Sequence, residues 1–503
     1  MLYKNRFIII IAIIIGLLII SGSTPSSVRI ENSNMIEFDS NIRPIDISRA
    51  IEDTEQIKMV YPLSTYPALL EKNDILHIEF KCFWFDRVYV YISTAYEPVV
   101  DEIWLEPHSI FKNNSLCEAN YHIPDSTPEE LYNLTIIIER EGEFYTCSIP
   151  RSVSVYDKID DDFTIIHVAD FHVGDPRGFA ESIDQTLGFR SIKRCINEIN
   201  LVHPDLVLIS GDLVFGQLYP FEYSIEYRKC YEIIQLFDVP TFLVPGNHDG
   251  YYRFKEDGLL FWKQYFGPLY YSFDFGDYHF TGVNSFDWPA KLRSSVLFIA
   301  LNWGGSIQDV QLEWIEQDLK NSESDLKFIF LHHNPIWDTK TDSLLRMGYN
   351  NREEFLSLID EYDVDMVLAG HVHLDTVNEE NGTIFITTTT PQSEIRNEDG
   401  YWGYRVIEIE DGNIVSFNYK EPKYSVPTYK LKSEFIDVYN RKVTNELEKD
   451  VEVLLKFKVP LGPYISPNAE IIMSRENNFM QQLYVDACIP AGSETMVTVI
   501  PVR

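Results

Sequence analysis

Leu206-Val207-Leu208-Ile209-Ser210-Gly211-Asp212 decides the fold: a short apolar run leads straight into a glycine and a carboxylate. A run of that length bounded by turn residues reads as an apolar strand. The same grammar recurs along the chain. Phe163–Ala169 leads to Asp170-Phe171-His172, and Thr241–Val244 to Gly246-Asn247-His248-Asp249. Lys327–Leu331 leads to His332-His333, and Met366–Ala369 to Gly370-His371-Val372-His373. Between these runs lie amphipathic stretches near Ser191–Asn200, Tyr223–Phe237, Val310–Lys320 and Glu353–Tyr362. Strand–helix alternation predicts a layered α/β domain. Open α/β sheets place their sites beyond the carboxyl ends of the strands. If the five strands share one sheet, all five polar clusters converge on one crevice.

Each cluster alone is ambiguous. A single aspartate after a strand is commonly a helix cap, and a lone histidine pair is commonly structural. Five successive strand ends carrying carboxylate, amide and imidazole groups point instead to metal chemistry. Two divalent cations about 3.5–4 Å apart clamp a phosphoryl group and its attacking oxygen. A carboxylate shared between the ions sets their spacing, and neutral imidazoles complete each shell. Residues two apart, as in Asp170/His172 and His371/His373, point the same way in extended backbone. Where the chain turns, they can serve two different ions. Gly211, Gly246 and Gly370 suit tight turns and close backbone approach.

The flanks read differently. From Ile45 to Tyr156, Leu76, Ile78, Phe80 and Cys82 alternate with polar residues, and Leu134–Glu139 with Phe144–Ile149 suggests a hairpin. Residues 45–157 are therefore expected to form an N-terminal β-sandwich, with Asp157–Asp162 as a linker. After Lys420 the helical period stops, and Val451, Val453, Leu455, Phe457 and Val459 alternate, predicting a second β-sandwich over 421–503. Residues 163–420 lie between them.

At the N-terminus, Lys4 and Arg6 precede an apolar run from Phe7 to Ile20 and then Ser-Gly-Ser-Thr-Pro. That order over residues 1–25 describes a secretory signal peptide, or an uncleaved membrane anchor, and predicts an extracytoplasmic protein that is secreted or tethered to the outer face of the membrane. Six cysteines show no CxxC pair, which excludes a cysteine zinc site; Cys82 and Cys147 are candidates for a bridge in the first domain. Forty-two basic against 77 acidic residues give a formal charge of −35. That surface repels duplex nucleic acid, but leaves room for a small phosphate substrate, because bound cations reverse the local field.

The ordered set DxH (Asp170, His172), GD (Asp212), GNHD (Asn247, His248, Asp249), a strand-terminal histidine and GHxH (His371, His373) resembles the calcineurin-like metallophosphoesterase superfamily, in its secreted branch. The resemblance spans 163–420 and implies a layered β-sandwich core with helices outside. It implies that Asp170, His172, Asp212 and His373 hold one divalent metal, and Asp212, Asn247, His332 and His371 a second, with manganese, iron or zinc as candidates. His332 is the expected fourth-motif ligand, with His333 its competitor. His248 would contact the phosphoryl group, and Asp249 would orient His248. A hydroxide bridging the metals would attack phosphorus in line. Phe215 stands where purple acid phosphatases carry an iron-binding tyrosine, and Leu213-Val214-Phe215-Gly216 departs from the protein phosphatases. Arg177 is a candidate phosphate contact, and Trp288–Ile307 a candidate rim. The expected function is hydrolysis of a small phosphomonoester or phosphodiester. The alternative is a cell-surface binding or adhesion protein that uses the fold as a scaffold.

Overall fold

The computed structural model describes residues 34–35, 51–52, 56–95, 102–175, 192–193, 195–196, 198–200, 204–216, 222–253, 255–295, 304–336, 349–392, 403–420, 431–446, 450–476 and 480–502. The Lys4–Ile20 segment, Arg177 and Trp303 lie outside these. Among the described residues no helix is long and apolar enough to cross a membrane.

Two facing sheets form the centre. The first runs Thr241–Val244, Leu206–Ser210, Phe163–Val168, Tyr404–Glu410, Asn413–Lys420, with the first three strands parallel. The second runs Tyr271–Phe275, Tyr278–Gly282, Leu326–Phe330, Met366–Ala369, Thr383–Thr387, Thr376–Glu380. The five motif-bearing strands therefore do not share one sheet. Three belong to the first and two to the second, and the clusters meet because the carboxyl ends of both sheets open at one edge. Leu206, Leu208, Phe242, Phe280, Phe328 and Leu368 fill the space between the sheets. Their neighbours Val207 and Ile209 face the opposite way, against the outer layer with Tyr227 and Ile234 of the helix Glu222–Ile234. The helices Asp309–Asn321 and Arg352–Glu361 cover the other sheet through Ile315, Leu319, Phe355 and Ile359. Strands buried on both faces are thus the reason the apolar runs are continuous rather than alternating.

The N-terminal segment forms two further sheets around Leu76, Ile78, Phe80, Ile136 and Ile138. The expected hairpin is present, with Glu130–Arg140 paired to Glu143–Tyr156. The suggested Cys82–Cys147 bridge is absent. Cys82 follows the strand Ile75–Lys81 in one sheet and Cys147 lies in the other; both are buried thiols. A C-terminal β-rich unit packs around Val443, Phe457, Val459, Val485 and Val497.

One buried cation joins the N-terminal sheets to the centre. The Arg151 guanidinium donates to the carbonyls of Ile234 (3.0 Å) and Val239 (2.6 Å) and to Thr241 Oγ1 (3.1 Å). It thereby closes the carboxyl end of the helix Glu222–Ile234, where positive charge is favoured. Arg151→Met would remove the charged donor from both carbonyls, leaving Ile234 with the Phe237 N–H (3.2 Å) and Val239 with Thr241 Oγ1 (3.0 Å). The expected cost is about 2–3 kcal/mol, read by urea denaturation; a loss below about 1 kcal/mol would show the contact to be incidental.

A second polar lock is pH-sensitive. His279 bridges Asp274 (Nδ1–Oδ1 2.6 Å) and Asp318 (Nε2–Oδ2 3.1 Å), and Thr281 Oγ1 donates to the same Asp318 oxygen at 2.8 Å. Burial lowers the imidazole pKa, but the two carboxylates outweigh it and raise it to about 9. A folded-state value above the unfolded one means the contribution is complete below about pH 6.5 and is lost as pH rises through 9. We expect wild-type protein to lose about 2 kcal/mol more than His279→Gln between pH 6.5 and 10. Parallel thermal melts of the two would contradict this.

Candidate active site

The seven expected ligands stand at the open edge of the two sheets, and the backbone there is unusual. Asp170 (φ 58°), His172 (46°), Asp212 (53°), His371 (77°) and His373 (53°) all adopt the left-handed conformation, which costs a non-glycine residue about 1–2 kcal/mol. Three of the five motif-bearing strands, those before Asp170, Asp212 and His371, are turned sharply in this way as they leave their sheets, so their polar side chains swing into the crevice. The turns need their glycines. A Cβ on Gly246 would lie 2.2 Å from Asp212 Oδ1, and one on Gly370 2.6 Å from Asp170 Oδ2.

One group of side chains gathers Asp170, His172 and His373. His373 Nε2 is 3.3 Å from Asp170 Oδ1, and His172 Nε2 is 3.7 Å from both Asp170 Oδ1 and Asp212 Oδ2. The Nε2 atoms of His172 and His373 face each other at 3.1 Å. Two nitrogens each about 2.1 Å from one ion, at roughly a right angle, stand about that far apart. Asp170 Oδ2 accepts the His371 N–H at 2.9 Å, whereas Oδ1 is buried without a hydrogen-bond partner among the described residues, as an atom reserved for a cation would be.

The second group surrounds Asp212 and His332. His332 Nε2 lies 3.2 Å from Asp212 Oδ2 and 3.0 Å from Asn247 Oδ1. His332 Nδ1 donates to the Ser210 carbonyl at 2.8 Å, which leaves the Nε2 lone pair for a metal. Asn247 is aimed likewise, its amide donating to Tyr251 Oη at 2.6 Å so that Oδ1 faces inward. His333 joins a group with His332 and His371, but its Nδ1 is engaged with Ser285 Oγ at 3.0 Å. Geometry therefore favours His332 over its neighbour. Asp212 Oδ2 lies between the groups, and Asp212 Oδ1 accepts the His248 N–H at 2.8 Å. The paired motifs behave differently: Asp170 and His172 enter one group, whereas His371 and His373 diverge.

The expected role of Asp249 needs correction. Its carboxylate accepts backbone N–H groups from Leu213 (2.9 Å), Val214 (3.1 Å) and Gly246 (2.8 Å), tying two site loops together. His248 is oriented by a carbonyl instead: its Nδ1 donates to Phe215 O at 2.9 Å. The reason is steric. A short helical turn, Asn247–Gly250, sends Asp249 inward and leaves His248 at the mouth of the site.

Electrostatics agree with a cation site. Burial alone would raise the carboxyl of Asp170, yet His373 and His172 hold it below the usual range; at Asp212, His332 and His248 do the same. Burial lowers His332, but Asp212 and Asp170 outweigh it and raise it to about 9. Two buried carboxylates thus attract whatever positive charge is available, proton or metal. Burial, followed by Asp212, pushes Asp249 up to about 7, and burial drops His371 to about 3.

Residues 163–375 match the calcineurin-like phosphoesterase family. This segment is a calcineurin-like phosphoesterase domain. It makes the chain a metal-dependent phosphoric ester hydrolase. The chain is 25% identical over 219 residues to a probable glycerophosphodiester phosphodiesterase, GpdQ, of Arcobacter nitrofigilis, covering 41% of this chain and 71% of that one. It is 24% identical over 270 residues to the 3′,5′-cyclic adenosine monophosphate phosphodiesterase CpdA of Escherichia coli, covering 50% and 87%. Among solved structures, GAP50 of Plasmodium aligns over 51% of this chain and 88% of its own, with 13% identity and a TM-score of 0.33.

Sequence reasoning missed the groups that aim the phosphoesterase ligands: the carbonyls of Ser210 and Phe215, and Tyr251. Backbone carbonyls leave no signature in a sequence. Tyr251 was findable, since it stands four residues after Asn247.

Proposed function

We propose that this phosphoesterase is an exported hydrolase of small phosphodiesters with a dinuclear metal site. The observation that carries the reading is the position of Asp212 Oδ2, 3.7 Å from the His172 nitrogen of one group and 3.2 Å from the His332 nitrogen of the other. Asp170, His172, His373 and Asp212 would hold one cation, and Asp212, Asn247, His332 and His371 the other. Bound there, two divalent ions would neutralise phosphoryl oxygens and acidify water. The chain supplies the rest. Asp249 fixes the Asp212 and Asn247 loops relative to each other. His248 has its Nδ1 proton on the Phe215 carbonyl, and burial lowers its pKa to about 4, so Nε2 faces the mouth as a lone pair. At the mouth, that atom would contact the phosphoryl group and, once protonated, donate to the leaving oxygen as it departs.

Preference for diesters rests on the relatives' names, and export on the N-terminal apolar run. A full ligand set argues against a scaffold that has lost its chemistry. The test compares bis-p-nitrophenyl phosphate with p-nitrophenyl phosphate in the presence of Mn²⁺. Faster hydrolysis of the diester is expected, and no hydrolysis of either would end the proposal. His248→Ala should retain its metal while kcat falls about 100-fold; joint loss of metal would make His248 a ligand instead. Amino-terminal sequencing of protein recovered outside the cytoplasm addresses export, and recovery only from the cytoplasm would refute it.

A further inference from the structure

The strand Thr383–Thr387 continues into Thr388-Thr389-Thr390-Pro391-Gln392, a polar run buried beneath the site. Thr387, Thr388, Thr389, Thr390 and Gln392 are all fully buried. Burying such groups is costly unless each has a partner. Thr387 Oγ1 accepts from Asn334 Nδ2 at 2.9 Å, and Thr388 Oγ1 meets His167 Nδ1 at 2.7 Å. The next two contacts reach the Asp170-Phe171-His172 turn itself. Thr390 Oγ1 donates to the Asp170 carbonyl at 2.9 Å, and Gln392 Nε2 donates to the Phe171 carbonyl. The Gln392 N–H donates in turn to Thr390 Oγ1 at 3.1 Å, so the two donors form one unit.

The turn needs those donors. With Asp170 and His172 both left-handed, the carbonyls of residues 170 and 171 are directed away from the strand ladder. The turn's amides are already satisfied, Asp170 N–H by the Gly211 carbonyl (3.0 Å) and His172 N–H by the Asp212 carbonyl (2.9 Å). Its carbonyls depend on Thr390 and Gln392. The loops bearing Asp212 and Asn247 are fastened differently, through the Asp249 carboxylate.

We propose that Thr390 and Gln392 are positioning residues for the first metal: they hold the Asp170–His172 turn in the conformation that brings both side chains to one cation. This rests on the dinuclear reading above. It separates the two metals, because Thr390 and Gln392 hold the carbonyls of the Asp170–His172 turn, whereas the contact of this run with the His332 loop is made by Thr387, to Asn334.

Thr389 provides the control. It is as buried as Thr390, but its hydroxyl has no hydrogen-bond partner among the described residues. The experiment titrates metal-free full chain with Mn²⁺, following bound metal by equilibrium dialysis and the coupled two-manganese signal by electron paramagnetic resonance. Thr390→Val and Gln392→Met should each weaken the first site about tenfold while sparing the second. An intermediate Mn²⁺ concentration would then give one uncoupled ion per chain. Thr390→Ser should restore the wild-type titration, and Thr389→Val should match it. Equal weakening of both sites, an equal effect of Thr389→Val, or unchanged titrations in both donor variants would overturn the assignment. If Thr390→Val does not fold, Gln392→Met and Thr390→Ser decide between the same outcomes. Wild-type protein that binds no manganese would refute the underlying two-metal reading instead.

Discussion

Asp212→Ala is expected to abolish metal retention and hydrolysis together, lowering kcat/KM by at least about 1,000-fold. Asp212 stands in both groups and also holds a loop. Its Oδ2 lies within 4 Å of ring nitrogens of His172, His332 and His248, and its Oδ1 receives the His248 backbone N–H. Its removal would take a negative charge from each cation and leave three imidazoles facing a cavity. Because burial disfavours those histidines as cations without a carboxylate, the site would lose its attraction for metal rather than rearrange. The fold should persist, since the apolar contacts between the sheets do not involve Asp212. Metal analysis and circular dichroism on one preparation check both halves. An Asp212→Ala protein that keeps two metals and measurable turnover would disprove the bridge.

The second large effect separates two adjacent histidines. His332→Ala should remove the second metal and lower activity about 1,000-fold, whereas His333→Ala should keep the metal and mainly lose stability, by about 2 kcal/mol. The difference follows from hydrogen bonding. His332 spends Nδ1 on the Ser210 carbonyl and presents Nε2 to Asp212 and Asn247. Ser285 Oγ accepts the backbone N–H groups of His332 (3.1 Å) and His333 (2.9 Å), so its own proton is available for His333 Nδ1. With Nδ1 accepting from Ser285, a neutral His333 would carry its proton on Nε2 and offer no lone pair to a metal there. Metal loss from His333→Ala, with retention in His332→Ala, would reverse the assignment.

Much of this was legible before any coordinates. Strand positions followed from apolar runs such as Leu206–Ile209, because a strand covered on both faces must be apolar throughout. The polar clusters after those runs supplied the candidates, and the family resemblance selected the seven expected ligands among them. What could not be read was the partition into two sheets, since local pattern in Phe163–Val168 and Leu326–Phe330 is the same whichever sheet receives them. Asp249 was misread for a related reason. Adjacency to His248 suggested a contact, but consecutive residues in a helical turn project about 100° apart, so one faced inward and the other the mouth. Left-handed backbone at Asp170, His172, Asp212, His371 and His373 was also invisible, because these residues carry no glycine signature. Aspartate and histidine tolerate this conformation better than most residues, and tertiary hydrogen bonds hold them there. Cys82 and Cys147 are buried thiols with no bridge between them, and sequence position alone does not specify a pairing.

Equilibrium dialysis of the purified chain against Mn²⁺, followed by elemental analysis, tests the central claim most directly. Two ions per wild-type chain are predicted, with neither retained by Asp212→Ala. A folded wild-type chain that takes up no divalent ion, or an Asp212→Ala chain that binds as many as wild type, would contradict it.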